Sequence, residues 1–167
     1  MDRAELSLFV ECHAFVCAVS TRAIERLVLP HEVARLEGSG AVPLVRVGGG
    51  VYASFNLGKL LRLAPTSGAS VLMRARHAGA ELPLCFETGP CLVVQQAEVA
   101  TALTGGLFHA KRRVFRGAFS LPPSMRVAGR SPVGLTLDIE ELARAEHESA
   151  ASSLQAMMAA ARVERSR

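Results

Sequence analysis

The side chains of this 167-residue chain that could do chemistry are few and scattered. Cysteines stand at positions 12, 17, 85 and 91, and His13 directly follows Cys12. A thiol beside an imidazole is the raw material of a nucleophilic dyad, in which the base takes the thiol proton. Here the pairing rests on sequence adjacency alone, which says little about geometry. No two cysteines form C-x-x-C, and Cys12-His13 stands too isolated to supply a metal's ligand set. Every cysteine lies in an apolar, strand-like stretch, so the sequence predicts reduced, half-buried thiols and no metal. The acidic residues Glu11, Glu25, Glu87 and Glu98 are dispersed. G-x-S-x-G, H-E-x-x-H, the P-loop and G-x-G-x-x-G are all absent from the sequence. Gly48–Gly50 is not followed by a long helix, so it is not read as a phosphate cradle. These residues predict a protein that is not an enzyme and needs no cofactor.

The charge balance points away from nucleic acid. The formal net charge is +4, with Lys111, Arg112, Arg113 and Arg116 in one cluster and Arg162, Arg165 and Arg167 near the last residue. No aromatic platform is interleaved with these charges, as base stacking would need. A solvated basic loop and tail is the first expectation, and an acidic protein partner the second. Half the residues are hydrophobic, mean hydropathy is positive, and there are seven Phe, one Tyr and no Trp. That suits a compact β-rich protein, or one that hides surface against partners. No uncharged run approaches the roughly 18–20 residues of a membrane span. The opening "MDRAELSLFVECHAF" lacks a cleavage pattern. A cytoplasmic protein without membrane insertion is expected.

The elements that must position these residues are short. "LSLFVECHAFVCAVS" reads as two strands with a tight turn at "ECH", and "TRAIERLVL" as a turn into a strand that Pro30 ends. Gly38, Gly40 and Pro43 are loop punctuation before a short strand. "GGG" is a turn, and "VYASF" a strand that runs into the helical turn "NLGKLL". "ASVLMRARHAGAELPLCFE" reads as a hairpin turning at "HAGA", and "TGPCLVVQQAEV" as a turn and a strand. Residues 101–111 read as a connection, and 112–138 as three short strands with "PP" and "AGRSP" as turns. A helix is expected from Asp138 to about Val163, with a weak apolar stripe of Leu142, Glu146, Ala150, Leu154, Met157, Met158 and Ala161.

One corner is written twice. "VYASFNLGKLL" slides onto "VGLTLDIEELA": Val51 meets Val133, Phe55 meets Leu137, Asn56 meets Asp138, Leu57 meets Ile139 and Leu60 meets Leu142. Asn56 and Asp138 each stand where a strand stops and a helix starts. Their side-chain oxygens can accept from the free N–H groups of the first turn. Glu141, three residues after Asp138, completes an acidic form of the capping box. About ten short strands in two similar halves predict a mainly β protein, either two small barrels or one sandwich.

The wording of these segments resembles that of CheW-like domains. "FVECHAFVCAVSTRAIERLV" is similar to that family's opening hairpin. "VRVGGGVYASFNLGKLLRL" is similar to its "I-N-L-R-G-x-V-V-P-V-V-D-L-x-x-L-L-G-L". "SVLMRARHAGAELPLCFETGPCLVV" matches its next hairpin, and "VFRGAFSLPPSMRVAGRSPVGLTLDIEELA" its ending. The resemblance runs over about residues 6–143. It implies two small five-stranded, SH3-like β-barrel subdomains with a groove between them, over residues 1–143. Residues 144–167 then form a C-terminal helical extension whose end frays. It also implies a non-catalytic chemotaxis adaptor that couples methyl-accepting chemoreceptor tips to a CheA-type histidine kinase. The alternative is a divergent interaction module outside receptor arrays, serving localisation or motility control with another protein partner. The implied contact residues are Val45, Arg46, Val47, Gly48, Gly49 and Val51; apart from the resemblance, the apolar stripe of the extension offers Leu154, Met157 and Met158 to a partner. An exposed aliphatic patch is expected near Val45, Val47 and Val51. Gly48 stands where the family has its receptor-facing Arg, and Arg46 is the nearest replacement.

Overall fold

A computed structural model describes residues 6–37, 42–96, 101–102 and 114–148. The strands are β1 (Leu6–Cys12), β2 (Phe15–Ser20), β3 (Ile24–Val28), β4 (Val33–Leu36), β5 (Leu44–Val47) and β6 (Gly50–Asn56), followed by the short helix α1 (Leu57–Leu60). Then come β7 (Ala69–His77), β8 (Ala80–Thr88), β9 (Cys91–Gln96), β10 (Thr101–Ala102), β11 (Phe115–Ser120) and β12 (Val133–Leu137). The helix α2 occupies 139–148 of the described residues.

The strands form two sheets, ordered β10-β11-β12-β2-β1-β9 and β3-β7-β8-β6-β5-β4. Read backwards, the second becomes β4-β5-β6-β8-β7-β3. Exchanging each strand for its counterpart six places away along the chain then reproduces the first. The two halves are therefore repeats, and each lends its leading hairpin to the other's sheet. The parallel pairs make the exchange visible: β2 runs beside β12, and β8 beside β6. All the other pairs are antiparallel.

Three apolar clusters follow. The central one joins the sheets through Leu8, Val10, Cys17 and Val19 on one side and Phe55, Val71, Met73, Leu84 and Phe86 on the other, sealed by Leu57 and Leu142 from the two corners. An outer cluster of Phe9, Val16, Ala18, Phe119, Leu121 and Met125 backs the first sheet. A second outer cluster of Val28, Val45, Val47, Tyr52, Leu72 and Cys85 backs the other. Burial of each large apolar side chain contributes about 1.5–3 kcal/mol. The hairpins β1–β2 and β7–β8 are apolar on both faces because each separates the central cluster from an outer one.

Several expectations need correction. The hydrogen bonding of each sheet stays open, from β10 to β9 and from β3 to β4. The described strands thus make two open six-stranded mixed sheets, where two closed five-stranded barrels were expected. Residues 112–138 hold two described strands, β11 and β12, where three are expected; the turn expected at "PP" is present as the 3-10 turn Pro123–Met125, because adjacent prolines remove ladder donors. A further short strand, β4, precedes the loop punctuation at Gly38, Gly40 and Pro43. Glu141 does not close a capping box: its carboxylate pairs with Arg144, while the Asp138 N–H donates to the Val114 carbonyl. Helix α2 runs through 143–144 unbroken, and Ala145 is buried. No helix among the described residues is long and apolar enough to cross a membrane.

Candidate docking surface

The β5–β6 hairpin is set by three glycines with separate duties. Val47 pairs with Gly50, leaving Gly48-Gly49 as a two-residue loop, and Gly48 sits at φ +57°. That left-handed backbone favours glycine, and an L side chain there costs about 1–2 kcal/mol. A Cβ on Gly48 or Gly49 would meet nothing within 4 Å, so the tip is open. Gly50 is glycine for another reason. A Cβ there would stand 2.7 Å from the Tyr52 ring, whose hydroxyl donates to Glu25 at 3.4 Å.

Alternation along β5 and β6 then divides the expected contact residues. Val45 and Val47 are only 1% and 4% exposed and face the outer cluster with Tyr52. They are core, which corrects the patch expected on their side chains. Arg46, paired with Val51 across the ladder, points the other way. That face carries exposed Arg46, Val51 at 45% and Leu44 at 42%, with half-buried Leu36 and exposed Ala34 from β4 in register. Arg46 has no ion-pair partner among the described residues. Leu154, Met157 and Met158 lie outside the described residues.

Between the sheets runs a groove of about 570 Å³ with an apolar floor of Ile24, Ala75, Leu137 and Ile139. Its rim carries both signs. Arg74 pairs with Glu25 at 3.0 Å, Arg116 with Asp138 at 3.0 Å, and Arg76 with Glu81 at 3.9 Å. Arg22 stands on the same rim. Exposed pairs of this kind contribute only about 0–1 kcal/mol, so a partner's charges can exchange with them cheaply. Sequence reasoning missed Arg22, Arg74 and Arg76, which come together only through pairing across 50 residues. The one available signal was the alternating "RAR" that ends β7. Arg116 belongs to this rim. Its basic neighbours Lys111, Arg112 and Arg113 lie outside the described residues.

The thiols do not build a nucleophile. Cys12 and Cys17 lie in the central cluster and Cys85 in an outer one. Burial pushes the Cys12 and Cys85 thiols up to about 11 and also raises Cys17 and Cys91. His13, at the β1–β2 turn with φ +52°, places its Nε2 2.8 Å from the Ala64 carbonyl oxygen. It is committed to the loop after α1. Among the described residues no group of three or more His, Cys, Asp or Glu could hold a metal ion. Maleimide labelling at neutral pH is expected to be slow at Cys17 and Cys85, reaching them only through opening of the fold, and fastest at half-buried Cys91. Mass spectrometry of the labelled peptides checks this order.

No family model matches the chain, and no curated protein matches it in sequence. Among solved structures, the scaffolding protein TtCheW from Thermoanaerobacter tengcongensis superposes with a TM-score of 0.57 at 5% identity, covering 82% of this chain and 90% of its own. With so little shared sequence the likeness speaks for architecture: the chain has a CheW-like fold.

Proposed function

We propose that the chain is a non-catalytic adaptor of bacterial chemosensory signalling, coupling methyl-accepting chemoreceptor tips to a CheA-type histidine kinase in the cytoplasm. The observation that carries this reading is the CheW-like fold, shared with a scaffolding protein over nearly its whole length. The docking face is the solvent-exposed side of β5–β6, where Arg46, Gly48, Gly49 and Val51 lie beside Leu44. Val45 and Val47 support it from the core. The two sheets with α2 form the docking unit, and Leu154, Met157 and Met158, outside the described residues, are a second contact in this reading. An apolar centre with one unpaired guanidinium fits a protein partner that presents aliphatic side chains around a carboxylate. No nucleic acid, metal or cofactor takes part.

Co-sedimentation of the full chain with a receptor-tip fragment and a CheA-type kinase from the same organism tests this. The chain is expected to pellet with the assembly. Val51→Asp and Arg46→Glu are expected to weaken binding at least about tenfold. Both positions are exposed, so stability is expected to change by only about 0.5 kcal/mol. Failure of the native chain to bind receptor or kinase would overturn the reading.

A second reading is an interaction module outside receptor arrays, used for localisation or motility control with a different protein partner. Gly48 favours it, because the left-handed tip replaces the Arg fork expected of the resembling family. Recovery of another partner that is lost on deleting residues 146–167, with neither receptor nor kinase, would support this second reading.

A further inference from the structure

A second cavity, of about 420 Å³, opens where β4 and β5 meet α1. Leu36, Pro43, Leu44 and Leu60 are among its walls, and Leu36 faces Leu44 across the β4–β5 ladder. One carboxylate stands in this apolar setting. Glu87 pairs with Asn56 in the parallel register of β8 and β6, and Ser54 lies two residues back on the same face of β6. Ser54 Oγ donates to Glu87 Oε1 at 3.1 Å and Asn56 Nδ2 to Oε2 at 3.0 Å, so the carboxylate is held in one orientation. Its side chain is 16% exposed. Among the described residues its ion-pair partner is Arg35, 81% exposed, whose guanidinium stops 3.6 Å from Oε2. At that distance the two attract without a hydrogen bond.

We propose that this cavity receives an arginine side chain of a protein partner, its guanidinium on Glu87 and its aliphatic stem along Leu36, Leu44 and Leu60. Hydration decides the sign of the occupant. Arg35 and Lys59 also line the cavity, but both are exposed and keep their water. Glu87 has given up most of its water for two neutral donors and one distant cation. A poorly hydrated carboxylate gains most from a close, hydrogen-bonding cation. A carboxylate offers about four acceptor sites, and Ser54 and Asn56 take two, which leaves room for the N–H groups of a guanidinium. Arginine suits the site better than lysine, because its head is more weakly hydrated and its stem lies well on apolar surface. Arg35 is then a competitor, the chain's own guanidinium resting loosely on the carboxylate and yielding to one better placed. Leu44 also belongs to the β5–β6 docking face, so a partner seated there has the cavity within reach. The chemistry of the cavity itself requires neither receptor nor kinase.

Titration of the full chain with N-acetyl-arginine amide, followed through the NMR amide shifts of Ser54, Asn56 and Glu87, tests the proposal. Saturable shifts are expected. N-acetyl-citrulline amide, of the same shape without the charge, is expected to bind at least about fivefold more weakly. Arg35→Ala, at an exposed position, is expected to tighten arginine binding about threefold by removing the competitor. No saturable shift, equal affinity for the two probes, or binding not tightened by Arg35→Ala would overturn the proposal. Neither receptor nor kinase enters the titration, so its failure and failure of the adaptor reading are told apart.

Discussion

Asn56→Asp is expected to lower stability by about 2–4 kcal/mol at pH 7, although Asp is as good a helix cap as Asn. The reason lies 31 residues away. The Asn56 Nδ2 donates to Glu87 Oε2 at 3.0 Å and to the Thr66 carbonyl at 2.9 Å, while its Oδ1 accepts from the Thr66 N–H at 2.9 Å. Glu87 is only 16% exposed and also accepts from Ser54 Oγ at 3.1 Å. An aspartate would place carboxylate oxygens against the Glu87 carboxylate and a carbonyl, with both donor hydrogens lost. Two carboxylates in one poorly hydrated site favour sharing a proton, so the folded variant binds protons more tightly than its unfolded chain. Its deficit is therefore largest at neutral pH and shrinks as pH falls through the carboxylate range. Adding Glu87→Gln, which supplies an amide donor, is expected to recover most of the loss. Urea unfolding at pH 7 and pH 4.5 checks both statements. A variant as stable as the native chain at pH 7 would refute them.

Gly58→Ala is expected to cost about 3 kcal/mol and lower Tm by roughly 10 °C, although alanine is the better helix former by about 1 kcal/mol. A Cβ on Gly58 would stand 2.0 Å from the Ala64 carbonyl oxygen and 3.1 Å from the Thr66 nitrogen. Both atoms are backbone, in the loop that folds back over the first turn of α1. That loop is held by the Leu63 N–H donating to the Gly58 carbonyl at 2.8 Å, and His13 Nε2 lies 2.8 Å from the same Ala64 oxygen. The extra methyl must push the loop outward and disturb these bonds together. At the matching position of the second corner, Glu140 is exposed and carries a full side chain. Glu140→Ala is accordingly expected to cost no more than about 1 kcal/mol. Thermal unfolding of the two variants side by side checks the contrast. Equal effects would show that the loop yields without cost.

The two corners show how far the sequence could be read. Both caps form as expected: Asn56 Oδ1 accepts from the Lys59 N–H at 3.4 Å, and Asp138 Oδ1 from the Glu141 N–H at 3.0 Å. Capping depends on residues three apart, so local spacing is enough to foresee it. The hairpins at "GGG" and "HAGA" were legible for the same reason, since two-residue turns need particular backbone angles; the first hairpin turns at His13-Ala14, just past the centre of the expected "ECH". The docking surface was legible only by halves. Alternation says that Val45 and Val47 face opposite to Arg46, but not which face another element will cover.

Sequence by itself determined the local grammar of this protein: a mainly β chain, two similar halves, capped corners, tight turns and thiols in apolar strands. These follow from propensities and spacings over a few residues. The tertiary structure alone decided that each half lends its hairpin to the other's sheet, and that Val45 and Val47 are buried while Val51 is exposed. It alone set Glu87 beside Asn56 and the loop carbonyl over Gly58, so that one corner requires Asn and Gly where the other carries Asp and Glu. Those choices rest on strand pairings between residues far apart in the chain. Their energy comes from burying the faces of both sheets together, which no local window of sequence contains.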